Sequence, residues 1–291
     1  MTKLYTDTSA NLPLALLREY DIAVIPFSYT VNGMAEDYNE ETDFDGKAFY
    51  DAMRRGAEVK TSMVNPATAA AFFERALAQG DDVLYVGMSG GISGTAHAAA
   101  LAAEELREKY PHAKIMTIDT YAASLGEGLQ VLEAAELLRA GRSFEEVGDR
   151  ILARRPHMCQ FFTVDDLNYL KRGGRISAAT AAVGTLLNIK PMLTVTRGGK
   201  LISVDKEKGR RRAIRRLVKN MAEEIIDPEK QVVSILQADC PEDAQALVDY
   251  MTETIPGVQY RIEKVGPTIC AHAGPGTLAV VFLGAERERE E

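Results

Sequence analysis

The residues best placed for chemistry lie in one stretch, Ser89-Gly90-Gly91-Ile92-Ser93-Gly94-Thr95. Ahead of it, Val83 to Val86 form an apolar run bounded by Asp82 and Gly87, the pattern of a strand buried on both faces. Behind it, Ala96 to Lys109 is made of alanine and other good helix formers. Strand, glycine-rich turn and helix start together aim backbone N–H groups, and the positive end of a helix dipole, at one spot beyond the sheet edge. Ser93 adds a hydroxyl, and Gly90, Gly91 and Gly94 let a ligand approach the backbone. The chemistry is anion binding. No lysine follows these glycines as a nucleotide-triphosphate loop requires, and the dinucleotide pattern Gly-x-Gly-x-x-Gly is absent from the stretch. A serine-hydrolase elbow would end in glycine where Thr95 stands. A small carboxylate or a single phosphate fits better, and the structural alternative is that Ser93 only caps the helix.

Three further loops carry polar groups of interest. Thr61 and Ser62 lie in the loop Val59 to Pro66, just before an amphipathic helix at Ala67 to Gln79, where capping is again the alternative. Arg172 and Arg175, three apart in Lys171-Arg172-Gly173-Gly174-Arg175, can fork onto phosphate or carboxylate, although such a loop is also ordinary solvated surface. His272 sits in a last polar loop, Thr268 to Thr277, among glycine and proline. Asp7 ends the first strand, where open α/β sheets place ligands, or it is a turn aspartate. A basic-faced helix at Lys206 to Glu224, with Arg210, Arg211, Arg212, Arg215 and Arg216, is solvated surface or a dock for an acidic partner. The four histidines lack zinc spacing with Cys159, Cys240 and Cys270, so no metal and no cofactor are expected. A Ser93–His272–Asp7 triad requires only geometry, and nothing local supports it. The pattern is that of a binder, with no catalytic residue.

The elements that position these groups fall into two halves. From Lys3 to Arg154, strands alternate with helices, the signature of a parallel sheet covered on both faces. Ala23 to Val31 reads as one strand, and Asn32-Gly33 turns it back toward Tyr38 as a hairpin insertion near 24–38. The pattern changes at Arg155-Pro156, giving expected domains at 1–156 and 157–291. Strands at Met158 to Val164, Val232 to Ala238, Val258 to Val265 and Leu278 to Leu283 then accompany a hairpin, Pro191 to Thr196 with Lys200 to Asp205. Ala178 to Leu187 reads as a small apolar helix, and Glu242 to Thr254 as another helix. The 291 residues suffice for two cores, and a net charge of −8 argues against a nucleic-acid partner. The three cysteines, odd in number and set in apolar contexts, are expected to be buried free thiols. Without a signal-peptide pattern or an apolar run of membrane length, a reducing cytoplasm is the expected compartment.

Taken together, the loops resemble the DegV family. The matching segments are Asp7-Thr8-Ser9-Ala10-Asn11-Leu12, Lys60-Thr61-Ser62, Ser89 to Thr95, Asp119-Thr120 with Ser124-Leu125-Gly126, Leu170 to Ile176, Leu187-Asn188-Ile189-Lys190-Pro191 and His272-Ala273-Gly274-Pro275-Gly276. The resemblance implies an N-terminal parallel α/β/α domain and a C-terminal α+β domain with a largely antiparallel sheet, the ligand lying between them. It implies a long-chain fatty acid such as palmitate, stearate or oleate, its carboxylate held by Thr61 and Ser93 with Ser62, Gly94, Thr95 and His272. It also implies a non-enzymatic role as the acyl-carrying subunit of a fatty acid kinase, supplying phospholipid precursors. A separate ATP-binding kinase subunit would meet Arg172 and Arg175, and passing contact with a membrane surface fits such a carrier. A carrier must enclose its acyl chain, so an apolar tunnel ending at Thr61 and Ser93 is expected. Two departures bear on acyl preference: Met63-Val64-Asn65 replaces the family's Gln-Pro-Ser after Ser62, and Ala96 replaces tyrosine after Thr95. The rival functions are a serine hydrolase or acyltransferase using Ser93, and a binder of a small carboxylate or phosphate metabolite.

Overall fold

Apolar strands and alanine-rich segments fold as their periodicity dictates in the computed structural model, which describes residues 1–36, 44, 46–177 and 188–287. The helix expected at 178–187 lies outside the described residues. The chain divides into two compact units, one built mainly from Met1–Tyr29 and Thr61–Pro156, the other from Thr30–Met34, Phe44–Lys60 and His157–Glu291.

Four strands carry the first unit, and three short ones interrupt their order. Strand β1 (Thr2–Asp7) pairs with β2 (Ala23–Ile25). Strands β3 (Ser28–Val31), β4 (Met34–Glu36) and β5 (Val59–Ser62) form a separate small sheet in the order β4-β3-β5. Strands β6 (Asp82–Gly87) and β7 (Ile115–Asp119) complete the main sheet, β2-β1-β6-β7, in which every pair is parallel. Alternate residues serve opposite faces. Leu4, Leu84, Val86 and Ile118 pack with Val131, Ala135, Val147 and Ile151 of the helices Leu125–Arg139 and Phe144–Arg154. Tyr5 and Tyr85 instead meet Phe73 of the Pro66–Leu77 helix, ring centroids 5.4 and 5.8 Å apart. The sheet is thus covered on both sides, as strands this apolar require.

The second unit centres on a six-stranded sheet. Its strands are β8 (Met158–Thr163), β9 (Ile189–Val195), β10 (Leu201–Lys208), β11 (Val232–Gln237), β12 (Gln259–Lys264) and β13 (Leu278–Leu283), in the order β10-β9-β8-β13-β11-β12. All pairs are antiparallel except β11 with β12. Phe161 and Phe282 stack at its centre, against Leu217 and Met221 of the helix Arg210–Glu224 and Leu247 and Met251 of the helix Pro241–Thr254. The helix Gly46–Arg54 joins this unit, where Tyr50 donates to the Val265 carbonyl at 2.6 Å.

Four sequence expectations need correction. Ala23 to Val31 is not one strand: Pro26, which has no N–H to offer a ladder, separates β2 from β3. The loop expected at Val59 to Pro66 begins as strand β5. The basic helix starts at Arg210, after Gly209 at φ +89°, because Lys206 to Lys208 extend β10. The polar segment Thr268 to Thr277 begins in a helix, Pro267–Ala273, which carries His272 in its last turn. The Asn32-Gly33 turn does form, with φ +51° and +82°, the geometry of a tight hairpin. All three cysteines are buried and free.

Gly128 shows which effect wins inside a helix. Propensity alone makes alanine better than glycine by about 1 kcal/mol. A Cβ at Gly128, however, would come within 2.5 Å of the Ala10 carbonyl oxygen, a backbone atom that cannot swing aside. Gly128→Ala should therefore lower stability, by about 1–3 kcal/mol in a denaturant titration, instead of raising it.

Candidate functional site

The glycine-rich stretch after β6 folds into a compact turn held by its own backbone. Ser89 N–H bonds the Ala122 carbonyl at 2.9 Å, and the Ile92 and Ser93 amides both reach back to the Ser89 carbonyl at 3.0 Å. Gly90 N–H donates to Asp119 Oδ2 at 2.9 Å. The helix Thr95–Lys109 then starts from Gly94, which makes no side-chain cap. Ser93 is therefore not the cap residue. Its buried Oγ lies 3.0 Å from Thr95 Oγ1 and accepts the Thr95 amide at 3.3 Å. The first N–H groups of a helix have no partner within the helix, and here they begin beside two hydroxyls. Although the Thr95 amide is already met by Ser93 Oγ, a helix start of this kind can receive an anion.

A second segment of the same unit comes up against this turn. The Pro66–Leu77 helix is capped by Asn65, whose side chain accepts the Thr68 amide at 2.9 Å, so neither Thr61 nor Ser62 caps it. The capping alternative for these two residues falls away. Met63 follows them with its side chain half exposed, and its Sδ packs so closely on Gly94 that a Cβ there would lie 2.7 Å from the sulfur. The segment carrying Thr61 and Ser62 thus touches the segment carrying Ser93 and Thr95, through a methionine and a glycine.

Beneath the turn lies a polar cluster that sequence reasoning missed in part. Asp7 and Glu127 are both fully buried. Asp7 Oδ2 accepts from the Tyr85 hydroxyl at 2.6 Å and the Met88 amide at 3.4 Å, and Oδ1 accepts from the Ser9 amide at 2.9 Å. Ser9 Oγ contacts both Asp7 Oδ1 and Glu127 Oε2, and Thr6 Oγ1 donates to Glu127 Oε1 at 3.1 Å. Tyr85 reaches Asp7 by passing over Gly87, where a Cβ would collide with the phenol ring. Burial raises the Asp7 carboxyl above its usual range, partly offset by its donors, and raises Glu127 well above it. With Ser9, Tyr85 and Met88 on its oxygens, Asp7 is not the orienting member of a serine triad. Glu127 was visible in the sequence as a lone charge between Gly126 and Gly128 at an apolar helix start. Ser124, just before it, holds φ +54° with a buried hydroxyl that has no hydrogen-bond partner among the described residues. Asp119 is raised by burial and held back by the Tyr121 and Gly90 amides, with the Arg155 guanidinium also favouring its charged form.

The remaining predicted residues belong to the second unit. His272 packs on Gly173, which has no Cβ to obstruct the imidazole. Burial, aided by Arg175, pushes the imidazole down to about 4. Arg175 turns back on its own loop to donate to the Gly173 carbonyl, and burial lowers its guanidinium. Arg172 is exposed and stacks on Tyr169 at 4.6 Å. Two of the basic-helix arginines are engaged locally: Arg210 with Asp243 at 2.8 Å and the Gly276 carbonyl at 2.7 Å, and Arg216 with Asp205. Burial also raises the thiols, Cys240 to about 11 and Cys270 further. Among the described residues, no group of acids, histidines and cysteines is arranged to hold a metal ion, and no helix is long and apolar enough to cross a membrane.

The model of an uncharacterised DegV family matches residues 1–285 of this chain. A DegV domain-containing protein of Clostridium perfringens is 39% identical over 285 residues, spanning 98% of both chains. A solved DegV family protein from Thermus thermophilus, described for its fatty acid binding, superposes with a TM-score of 0.84 at 31% identity, covering 97% of this chain and 99% of the other. A fatty-acid-binding DegV family protein from Streptococcus agalactiae superposes with a TM-score of 0.85 at 27% identity, covering 98% and 99%.

His272 gives a pH test of this geometry. An imidazole that titrates near 6.5 when unfolded and near 4 when folded binds fewer protons in the native state between those values. Stability should therefore fall as pH drops from about 6.5 to about 4, by an amount on the order of 3 kcal/mol when complete. Proton NMR should place the His272 titration near 4, and His272→Gln should flatten that part of the stability profile.

Proposed function

The chain belongs to the DegV family, and on that premise we propose that it is a carrier for a long-chain fatty acid. Thr61 and Ser93 grip the carboxylate, with Ser62, Thr95 and the Gly94 backbone beside them. The observation that carries this is the packing of Met63 on Gly94, which brings two hydroxyl-bearing segments to one helix start. The fatty acid binding of the Thermus thermophilus and Streptococcus agalactiae relatives supports the ligand class.

The energetics suit the task. Burying about 16 methylenes gains on the order of 10 kcal/mol, but a bilayer offers the same gain, so only near-complete enclosure lets a protein compete. The head group contributes differently. Hydroxyl and amide donors at a helix start are matched to a carboxylate and leave it chemically intact. A carboxylate held in this way remains a nucleophile. It can attack the terminal phosphoryl group of ATP on a separate kinase subunit, forming an acyl phosphate and releasing ADP. Arg172, exposed and stacked on Tyr169, is the residue suited to meet that subunit. Arg175 and the neutral His272 form the inner part of the same unit's polar loop.

Native mass spectrometry of the purified protein should show a long-chain fatty acid already bound; a small phosphorylated metabolite in its place would overturn the carrier function. Each of Thr61→Val and Ser93→Ala removes a donor to a charged group, so palmitate affinity should drop about tenfold or more for each. A fluorophosphonate that labelled Ser93 stoichiometrically would favour a hydrolase instead. With the kinase subunit present, Arg172→Ala and Arg175→Ala should retain palmitate and lose acyl phosphate formation.

A further inference from the structure

Asp7 and Glu127 take no part in the ligand contacts proposed above, yet both are fully buried and share the hydroxyl of Ser9. A hydroxyl carries one hydrogen. Ser9 Oγ lies 2.6 Å from Glu127 Oε2 and also contacts Asp7 Oδ1, so two carboxyl oxygens converge on a single donor. If that hydrogen points to Asp7, the contact with Glu127 needs a hydrogen on Glu127. If it points to Glu127, the contact with Asp7 needs one on Asp7. Either way the pair holds an acid proton.

The other donors decide where it sits. Asp7 receives three more hydrogens, from the Ser9 amide, the Tyr85 hydroxyl and the Met88 amide. Glu127 receives one more, from Thr6. Donors favour the charged form, so the charge belongs on Asp7 and the proton on Glu127. The titratable groups that face the pair are Tyr85 from β6 and Asp119 from β7, neither of them a cation, and the Arg155 guanidinium favours the charged form of Asp119. Burial and the neighbouring Asp7 charge act on Glu127 in the same direction.

We propose that Glu127 is held as the un-ionised acid at neutral pH and is a positioning residue for the Ser89–Thr95 turn, whose grip on an anion loosens when Glu127 ionises. The link runs through Asp7, which holds the Met88 amide one residue before the turn and the Tyr85 hydroxyl beneath it. Once Glu127 gives its proton to water, two buried negative charges compete for one hydroxyl hydrogen, and Asp7 is driven from its partners. The part concerning grip rests on the carrier function proposed above; the protonation does not. In Glu127→Gln, the amide can donate to Ser9 and accept from Thr6, which mimics the un-ionised acid.

Infrared spectra of the lipid-free protein at neutral pH test the proton directly. The carbonyl stretch of an un-ionised carboxyl should be present in the natural protein and weaken in Glu127→Gln; its absence, or its persistence unchanged, overturns the proposal. Should that variant not fold, the same measurement uses Glu263→Gln, which removes the half-buried glutamate of β12 that burial also raises. With 13C-glutamate, this protein must still show an isotope-shifted un-ionised band, and no shift overturns the proposal. For the turn, amide exchange at 89–95 should speed up relative to Glu127→Gln as pH is raised through the alkaline range, where hydroxide draws the proton from a buried acid. Release of radiolabelled palmitate should accelerate about tenfold over that range and stay flat in Glu127→Gln, a loss of about 1.4 kcal/mol. Equal behaviour of both proteins in amide exchange overturns the positioning role. A protein that shows the infrared band and the exchange difference but retains no palmitate overturns the carrier function and leaves the inference about Glu127 standing.

Discussion

Parallel pairing obliges every strand of the first sheet to finish at the same edge. Each of β1, β6 and β7 therefore delivers the turn that follows it to one place: Asp7 with Ser9, Ser89 to Thr95, and Asp119 to Ser124. The hydrogen-bonded register that sets Leu4 opposite Leu84 and Val86 opposite Ile118 is what makes these distant parts of the chain neighbours. Nothing polar in the first unit would converge if one of those strands ran the other way.

That edge is unusual in its charge. Three acids, Asp7, Glu127 and Asp119, lie at or under it, and burial opposes ionisation of all three. A carboxylate bound above them as proposed would meet neutral groups, the Ser93 and Thr95 hydroxyls and the start of the Thr95–Lys109 helix. A neutral clamp of this kind holds a carboxylate by geometry, because each hydrogen bond needs its donor aimed at the oxygen. A cation would attract from any direction. The acids underneath brace the loops by taking their hydrogens: Asp7 accepts from Tyr85 and Met88, and Asp119 from Gly90 and Tyr121.

Much of the first unit was legible from apolar periodicity, because buried strands such as Val83 to Val86 have no other reading at that length. The α+β character of the second unit followed from the change of pattern after Pro156. What could not be read were contacts decided by tertiary packing. Ser93 and Thr61 looked like caps, and only the structure shows that Gly94 and Asn65 occupy those positions. Pro26 was in plain view, yet the continuous apolar pattern on both sides concealed that it ends one sheet and begins another. Glu127 carries no motif at all. Its significance comes from Thr6 and Ser9, more than a hundred residues earlier, and no local spacing connects them.

The state of the three cysteines has a practical consequence. A sulfur reacts with alkylating and oxidising reagents as its thiolate, and burial both hides these sulfurs and, at Cys240 and Cys270, opposes that ionisation. The native chain is therefore close to silent toward maleimides. A single cysteine introduced on either unit would carry a spin label or fluorophore against almost no background, with all three natural thiols left in place.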